Sequence, residues 1–210
     1  MEQAARVAVS AVLAFVVLDL VAVLLATDAY SARSDYVSSL AGRGSSVWPV
    51  EVAGLALFAV AHLALAVVLV LGRRLQVAAL VVGLAGLVLG AVSVLRTGCP
   101  GGEAHCAFAG NTTSDWVTSA HGMTAGGYMQ VMVVAMLVAA VSAYRVPGAL
   151  RWALLAGVPL AALAAYSLDR LGGQGPTGDT GLWERIWLAS NAAWILLVAL
   201  ATPRPDASVS

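Results

Sequence analysis

Four acidic side chains lie within or at the ends of long apolar stretches of this 210-residue sequence: Asp19, Glu51, Asp169 and Glu184. An ionisable group inside a membrane span is energetically costly, so its presence there indicates a functional site. A carboxyl group in a medium of low dielectric retains its proton and can act as a general acid. We take these four residues as the candidate catalytic groups. Asp19 is the strongest, because it lies about 13 Å inside its apolar stretch.

His62 follows Glu51 at a spacing that places both side chains on one face of a helix. If Glu51 lies near the membrane surface, His62 lies close to the midplane and close to the level of Asp19. We therefore include His62 in the candidate site. A neutral histidine that is hydrogen-bonded to a neighbouring helix would explain this residue equally well.

A second set of side chains has the chemistry to bind a substrate. Aromatic rings stabilise cations, and arginine binds carboxylate or phosphate groups. Besides His62, the candidates are Tyr30, Ser31, Asp35, Trp48, Arg96, His121, Trp183, Arg185 and Trp187. Simpler roles exist for several of them. Arginine can extend from a helix end to the interface, tryptophan is common at membrane surfaces, and an acid suits the start of a helix.

The elements that must position these residues are membrane-spanning helices. The chain is 60% hydrophobic and only 10% charged, with a mean hydropathy of +0.89, which indicates a membrane protein. A helix needs about 20 apolar residues to cross a bilayer, and six stretches qualify. They are residues 6–27, 49–72, 75–95, 119–144, 150–168 and 182–201. We predict an all-α, single-domain bundle of six transmembrane helices, with Pro159 kinking the fifth.

The distribution of arginine predicts the orientation of this bundle. Arg73 and Arg74, and also Arg145 and Arg151, lie in short links without acidic residues, which are typical of the cytoplasmic side. Both termini are then cytoplasmic, and the acidic loops face outwards from a plasma membrane. Those loops are residues 28–48, 96–118 and 169–181. The ionisable candidates are therefore concentrated in the outer half of the membrane.

Composition and cysteine content exclude several other functions. The sequence contains no lysine, so imine chemistry on lysine is excluded, and eleven acids balance eleven bases without the basic patch that nucleic acid requires. Cys99 and Cys106 lie in a predicted outward loop, where a disulfide is expected. A metal site that adds His105 is the competing interpretation, but its ligand set is weak. We expect no metal and no cofactor.

Three stretches resemble a family of membrane proteins known as domain of unknown function 998: YSARSDYVSSLAGRG at 30–44, GCP at 98–100 followed by His121, and GLWERIWLASNAAW at 181–194. The helix number and the first stretch are also similar to the six-span proteins of GPI-anchor lipid remodelling. If the family motifs mark a site, the resemblance implies Tyr30, Ser31, Asp35, Ser38, His121, Glu184 and Arg185. Glu51 departs from the pattern, which has a neutral polar residue there, often Asn.

The first of three functional hypotheses is an enzyme that cyclises a prenyl chain in an outward-opening cavity. Asp19 or Glu51 would donate the first proton, and Asp169 or Glu184 would share that role or accept the last one. Trp48, Trp183 and Trp187 would line the cavity. Small integral-membrane terpene cyclases are similar in size and in their reliance on intramembrane acids. Residues 28–51 would cover the site.

The second hypothesis is a membrane enzyme of lipid hydrolysis or remodelling. Ser38 or Ser39 would act with His121 and Asp35 as a nucleophilic set. Arg96 or Arg185 would bind a phosphate group. The third hypothesis is a lipid-binding or accessory membrane subunit without catalytic activity, in which the polar groups only pair the helices.

Overall fold

The computed structural model describes residues 1–26, 30–71, 75–98, 116–172 and 178–202. Eight α-helices occupy most of these segments: α1 Glu2–Leu25, α2 Val37–Leu40, α3 Trp48–Leu71, α4 Gln76–Val94, α5 Trp116–Val141, α6 Gly148–Leu155, α7 Gly157–Gly172 and α8 Thr180–Leu200. The predicted disulfide between Cys99 and Cys106 lies outside the described residues, as do Asp28, Arg73 and Arg74.

Each of the six predicted spans is helical, and the bounds differ from the prediction by only a few residues. The first helix begins at Glu2 rather than at Arg6. An ion pair between these two side chains, one turn apart, supports the added turn. The fifth span is interrupted at Ala156, between α6 and α7. The break lies three residues before Pro159, which has no N–H to donate to the carbonyl group of Leu155; the kink itself stays a prediction.

The long helices form a closed ring. α1 packs on α3, α3 on α4, α4 on α5, α5 on α7, α7 on α8, and α8 returns to α1. By length and composition, five segments of the described chain could cross a membrane: α1, α3, α4, α5 with the following 3₁₀ turn, and α6 with α7. α8 is not among them, since Glu184, Arg185 and Asn191 make it more polar. It also contacts α3 and α6, and Asn191 is fully buried.

A column of aromatic side chains crosses the interior of the helix bundle. Phe15 stacks on Phe58 with centroids 4.4 Å apart, and Phe58 meets His62 edge-on at 4.7 Å. His62 in turn meets Tyr128 at 5.6 Å, and Tyr128 meets Trp187 at 5.1 Å. The column links α1, α3, α5 and α8, so it fixes the depth of His62 relative to the surrounding helices.

Two glycines of the bundle allow close helix approach. A Cβ atom on Gly54 would lie 3.3 Å from Cβ of Leu18, and one on Gly86 would lie 3.0 Å from Cβ of His62. The first contact places Asp19 level with the first turns of α3, whereas His62 lies about 12 Å deeper along that helix. The expectation that His62 and Asp19 share one level is therefore wrong.

We expect Gly86→Ala to destabilise the bundle, because the added methyl group would force α3 and α4 apart at His62 and Leu63. Overpacking of this kind costs about 1–3 kcal/mol, which thermal unfolding of the detergent-solubilised protein would measure. Gly126→Ala on α5 is the matched control, since a Cβ there meets no atom within 4 Å. Equal stability of the two variants would contradict this packing.

Candidate functional site

Residues 30–47, which we call the strap, lie across one end of the bundle between α1 and α3. The strap contains α2, and its two halves contact different helices. Its first half docks on the beginning of α8, and its second half docks where α4 ends and α5 begins. The stretches 30–44 and 181–194, which the sequence singled out separately, are therefore in direct contact.

The first half of the strap is fixed to α8 through the backbone. The N–H of Leu182 donates to the carbonyl oxygen of Arg33 at 2.9 Å. A Cβ atom on Gly181 would lie only 2.1 Å from the carbonyl oxygen of Asp35, so no residue larger than glycine fits. On the exposed side, Nε of Arg33 contacts Oδ1 of Asp179 at 2.5 Å.

Arg185 is the cation at the centre of this junction. Its Nη1 donates to the carbonyl oxygen of Ala32 at 2.7 Å, and its Nη2 donates to the hydroxyl group of Tyr30 at 2.5 Å. Oδ1 of Asp19 lies 3.7 Å from Nη2. Burial raises the pKa of the Tyr30 phenol above its ordinary value, although the Arg185 guanidinium opposes this effect. Tyr30 is therefore neutral, and Arg185 connects the strap to α1.

Glu184, the neighbour of Arg185 on α8, accepts hydrogen bonds from the strap. Its Oε2 accepts the N–H of Val37 at 2.6 Å, and its carboxyl group also accepts the N–H of Ser38. These donors belong to the first turn of α2, whose N–H groups have no partner within the helix. Glu184 therefore acts as an N-terminal cap supplied by another helix.

The polar side chains of the strap bond mainly to the backbone of the strap. Oδ2 of Asp35 accepts the N–H of Ser31 at 2.7 Å, and the hydroxyl group of Ser39 donates to the carbonyl oxygen of Tyr36 at 2.6 Å. His121 on α5 uses Nδ1 to contact the carbonyl oxygen of Leu95 at 2.5 Å. Asp35, Ser39 and His121 thus make no hydrogen bonds to one another.

Arg96 fastens the second half of the strap. Its Nε and Nη2 donate to the carbonyl oxygens of Ala41 and Gly42, each at 2.9 Å. The guanidinium group lies over the ring of Trp48, 3.9 Å from the ring centroid. Two predicted binding residues, Arg96 and Trp48, are therefore in contact, and Arg96 bonds to the protein backbone.

Glu51 is the most unusual side chain beneath the strap. It is 0% exposed, and neither carboxyl oxygen has a hydrogen-bond partner among the described residues. Asp19, Glu184 and Arg185 are its charged neighbours. We call Asp19, Glu51 and Glu184 the carboxyl cluster. The Arg185 guanidinium group is close enough to act electrostatically on all three acids.

A small cavity of about 30 Å³ reaches one member of the carboxyl cluster, Glu184, whereas Asp19 and Glu51 are not among the residues that line it. Its polar lining comes from Ser38, Tyr128, Glu184 and Trp187, and its remaining lining is apolar. This volume accommodates about one water molecule. Tyr128 did not enter the sequence-based site, although its spacing from His121 places both on one helix face.

Other predicted residues are not brought into the cluster. Asp169 on α7 is exposed and has no ion pair or hydrogen bond among the described residues. Trp183 packs edge-on against Tyr166 at 5.3 Å, and the Arg170 guanidinium lies 5.6 Å from its ring centroid. His62 lies in the aromatic column, hydrogen-bonded to Tyr128. Within the described residues, no group of three or more His, Cys, Asp or Glu side chains could hold a metal ion.

Comparison with known proteins finds one family. The model of the family described as "Protein of unknown function (DUF998)" matches residues 8–201, which is most of the chain. No curated protein and no solved structure matches the chain. The resemblance to the proteins of GPI-anchor remodelling stays a prediction.

We expect Gly181→Ala to release the first half of the strap, because its methyl group would collide with the Asp35 carbonyl oxygen. The stability loss should be about 1–3 kcal/mol, and trypsin should cleave after Arg33 faster than in the wild type. Gly178→Ala, just before the same helix, is the matched control, since its Cβ meets no atom within 4 Å. Unchanged trypsin cleavage in Gly181→Ala would argue against the docking.

Proposed function

Because the chain belongs to this family of proteins of unknown function (DUF998), we propose its activity from the geometry of its own site. We infer an integral-membrane enzyme that protonates an isoprenoid or other lipidic substrate and directs cyclisation of a prenyl chain. The observation that carries this proposal is Glu51, which is wholly buried, without a hydrogen-bond partner in the described part of the chain, and beside two further acids.

Glu51 is the best proton donor of the carboxyl cluster. An ionised carboxylate buried without a partner is very costly, so such a group stays neutral and keeps its proton. Asp19 instead faces the Arg185 guanidinium, and Glu184 accepts two backbone N–H groups. Both contacts offset part of the cost of burying an ionised carboxylate, whereas Glu51 has no such contact among the described residues. Glu51 is therefore the member of the cluster that best keeps its proton for transfer.

The charge of the cluster suits a cationic intermediate. The carboxyl group of Glu184 lines the small cavity, and in its ionised form it would attract a cation there. The rings of Tyr128 and Trp187 line that cavity, and aromatic faces stabilise cations by about 2 kcal/mol or more when water is excluded. Protonation of an alkene or epoxide by Glu51 would generate a carbocation beside these groups.

We propose that all six predicted spans cross the plasma membrane, with both termini in the cytoplasm and the strap outside. α8 is 21 residues long, which corresponds to about 31 Å. It packs between α1 and α7, so protein rather than lipid surrounds much of its polar part. Arg145 and Arg151 are exposed at the end of the bundle opposite the strap, as expected for the cytoplasmic side.

Substrate entry requires the strap to move. The cavity of about 30 Å³ is far smaller than the roughly 300–1,000 Å³ of typical ligand pockets. Glu184 and Arg185 hold the strap over this cavity. Displacing the first half of the strap from α8 would enlarge the space directly beside the carboxyl cluster.

We expect Glu51→Gln to abolish protonation, because the amide is nearly isosteric but is not an acid. The purified protein would be incubated with farnesyl-type and epoxidised prenyl substrates, and the products would be quantified by mass spectrometry. Loss of the general acid should lower turnover by about 10²-fold or more. Asp19→Asn should also lower it, since it removes an anion that faces Arg185.

Asp169→Asn is the control for this experiment, because it removes an exposed acid outside the cluster and should leave turnover unchanged. Undiminished turnover in both Glu51→Gln and Asp19→Asn would reject the assignment.

A non-enzymatic lipid-binding subunit is the second candidate. It is favoured by the small cavity and by the motif side chains that bond to backbone groups, such as Glu184 to Val37 and Asp35 to Ser31. In that case Glu184→Gln should reduce stability by about 1–3 kcal/mol while cellular lipid products stay as in the wild type. Calorimetry and lipid mass spectrometry would measure the two effects. A changed product profile at wild-type protein levels would exclude this candidate.

A further inference from the structure

A hydrogen-bonded pair of Tyr128 and His62 joins α5 and α3 in the interior of the bundle. Nδ1 of His62 lies 2.6 Å from the carbonyl oxygen of Phe58, which can only accept, so Nδ1 carries the hydrogen. In the neutral imidazole, Nε2 is then the acceptor. The Tyr128 hydroxyl group, 3.1 Å from Nε2, must donate to it. The backbone of α3 thus sets the direction of the bond.

This pair reaches the cavity through its tyrosine. Tyr128 lines the cavity together with Glu184, whereas His62 is completely buried behind it. The rings of Phe58 and Trp187 enclose the pair, with centroids 4.7 Å from His62 and 5.1 Å from Tyr128 respectively. A substrate in an enlarged cavity would therefore meet a phenol whose proton already points at a base.

We propose that Tyr128 accepts the last proton of the reaction and that His62 is its relay; this inference rests on the proposed function. The carbocation formed by Glu51 loses a proton from a neighbouring carbon, and the electron pair of that C–H bond becomes the new C=C bond. The proton goes to the Tyr128 oxygen as the hydroxyl proton of Tyr128 passes to Nε2 of His62. Tyr128 stays neutral, and His62 becomes a short-lived imidazolium ion, because a charge that is completely buried is costly and favours return of the proton.

The catalytic cycle closes when this proton returns to Glu51. His62 gives a proton back to Tyr128, and a proton passes from Tyr128 to the Glu51 carboxylate through water that enters the enlarged cavity. Leu55, one turn after Glu51 on α3, already lines the small cavity together with Tyr128. No proton is gained or lost overall, as a cyclisation or isomerisation requires. The product is a cyclic alkene, with no oxidant, reductant or metal ion in the balance.

Other acceptors suit this step less well. Asp169 is exposed and away from the cavity. Glu184 lines the cavity, but its carboxyl group accepts the N–H groups of Val37 and Ser38. A proton delivered to that carboxyl group would weaken the two hydrogen bonds that hold the strap. Tyr128 has a base behind it and no competing donor among the described residues.

The test is the product distribution of Tyr128→Phe, which keeps the ring and removes only the acceptor oxygen. Wild-type protein and variant are incubated with the prenyl substrates, and alkene and alcohol products are separated by gas chromatography. We expect substrate consumption to continue, since Glu51 still initiates. The alkene-to-alcohol ratio should fall by about 10²-fold, because water then captures the cation.

Tyr166→Phe on α7 is the matched control and should keep the wild-type ratio. His62→Gln supplies a second variant should Tyr128→Phe fail to fold, as judged by circular dichroism and gel filtration. Loss of the relay should shift the ratio in the same direction.

An unchanged ratio in folded Tyr128→Phe, with Glu51→Gln inactive, would overturn this inference and leave the proposed function intact. Absence of any cyclised product from the wild-type protein would overturn both.

Discussion

The contact between the strap and the beginning of α8 is the constraint on which the site depends. Gly181 lets the backbone of α8 approach the Asp35 carbonyl oxygen more closely than any side chain would permit. One turn further, Glu184 caps α2 and Arg185 binds the strap, Tyr30 and Asp19. Without this junction, the acids beneath the strap would face water and lose their low-dielectric environment.

The arrangement also explains how a largely apolar bundle tolerates several ionisable groups. Asp19 and Glu184 have a cation or backbone donors as partners, whereas Glu51 has neither among the described residues. A buried acid without a partner destabilises the fold, so stability alone does not explain why Glu51 is there. Within one cluster, two acids therefore have partners that offset the cost of burial, and the third has none in the described part of the chain.

Hydrophobic run length predicted the helices well, because a membrane span must satisfy its backbone internally and must match the bilayer in length. α8 shows the limit of hydropathy as a predictor of spans. Its polar residues pack against protein, and composition alone does not reveal that packing.

The junction between the strap and α8 joins residues about 150 positions apart, and no local sequence pattern encodes such a pairing. Tyr128 was missed because a single tyrosine among small and apolar residues resembles core packing. Asp169 was included because the sequence shows an acid near the end of a helix but does not show that this side chain is exposed and outside the carboxyl cluster.

Closure of the helix ring has a consequence for biogenesis. α1 packs against both α3 and α8, so α1 acquires its neighbour α8 only after all the helices between them have been made. The strap is synthesised early, yet its docking surface on α8 emerges roughly 150 residues later. Assembly of the carboxyl cluster therefore waits for α8, and a chain interrupted before α8 would carry Asp19 and Glu51 but not Glu184 and would lack the cluster.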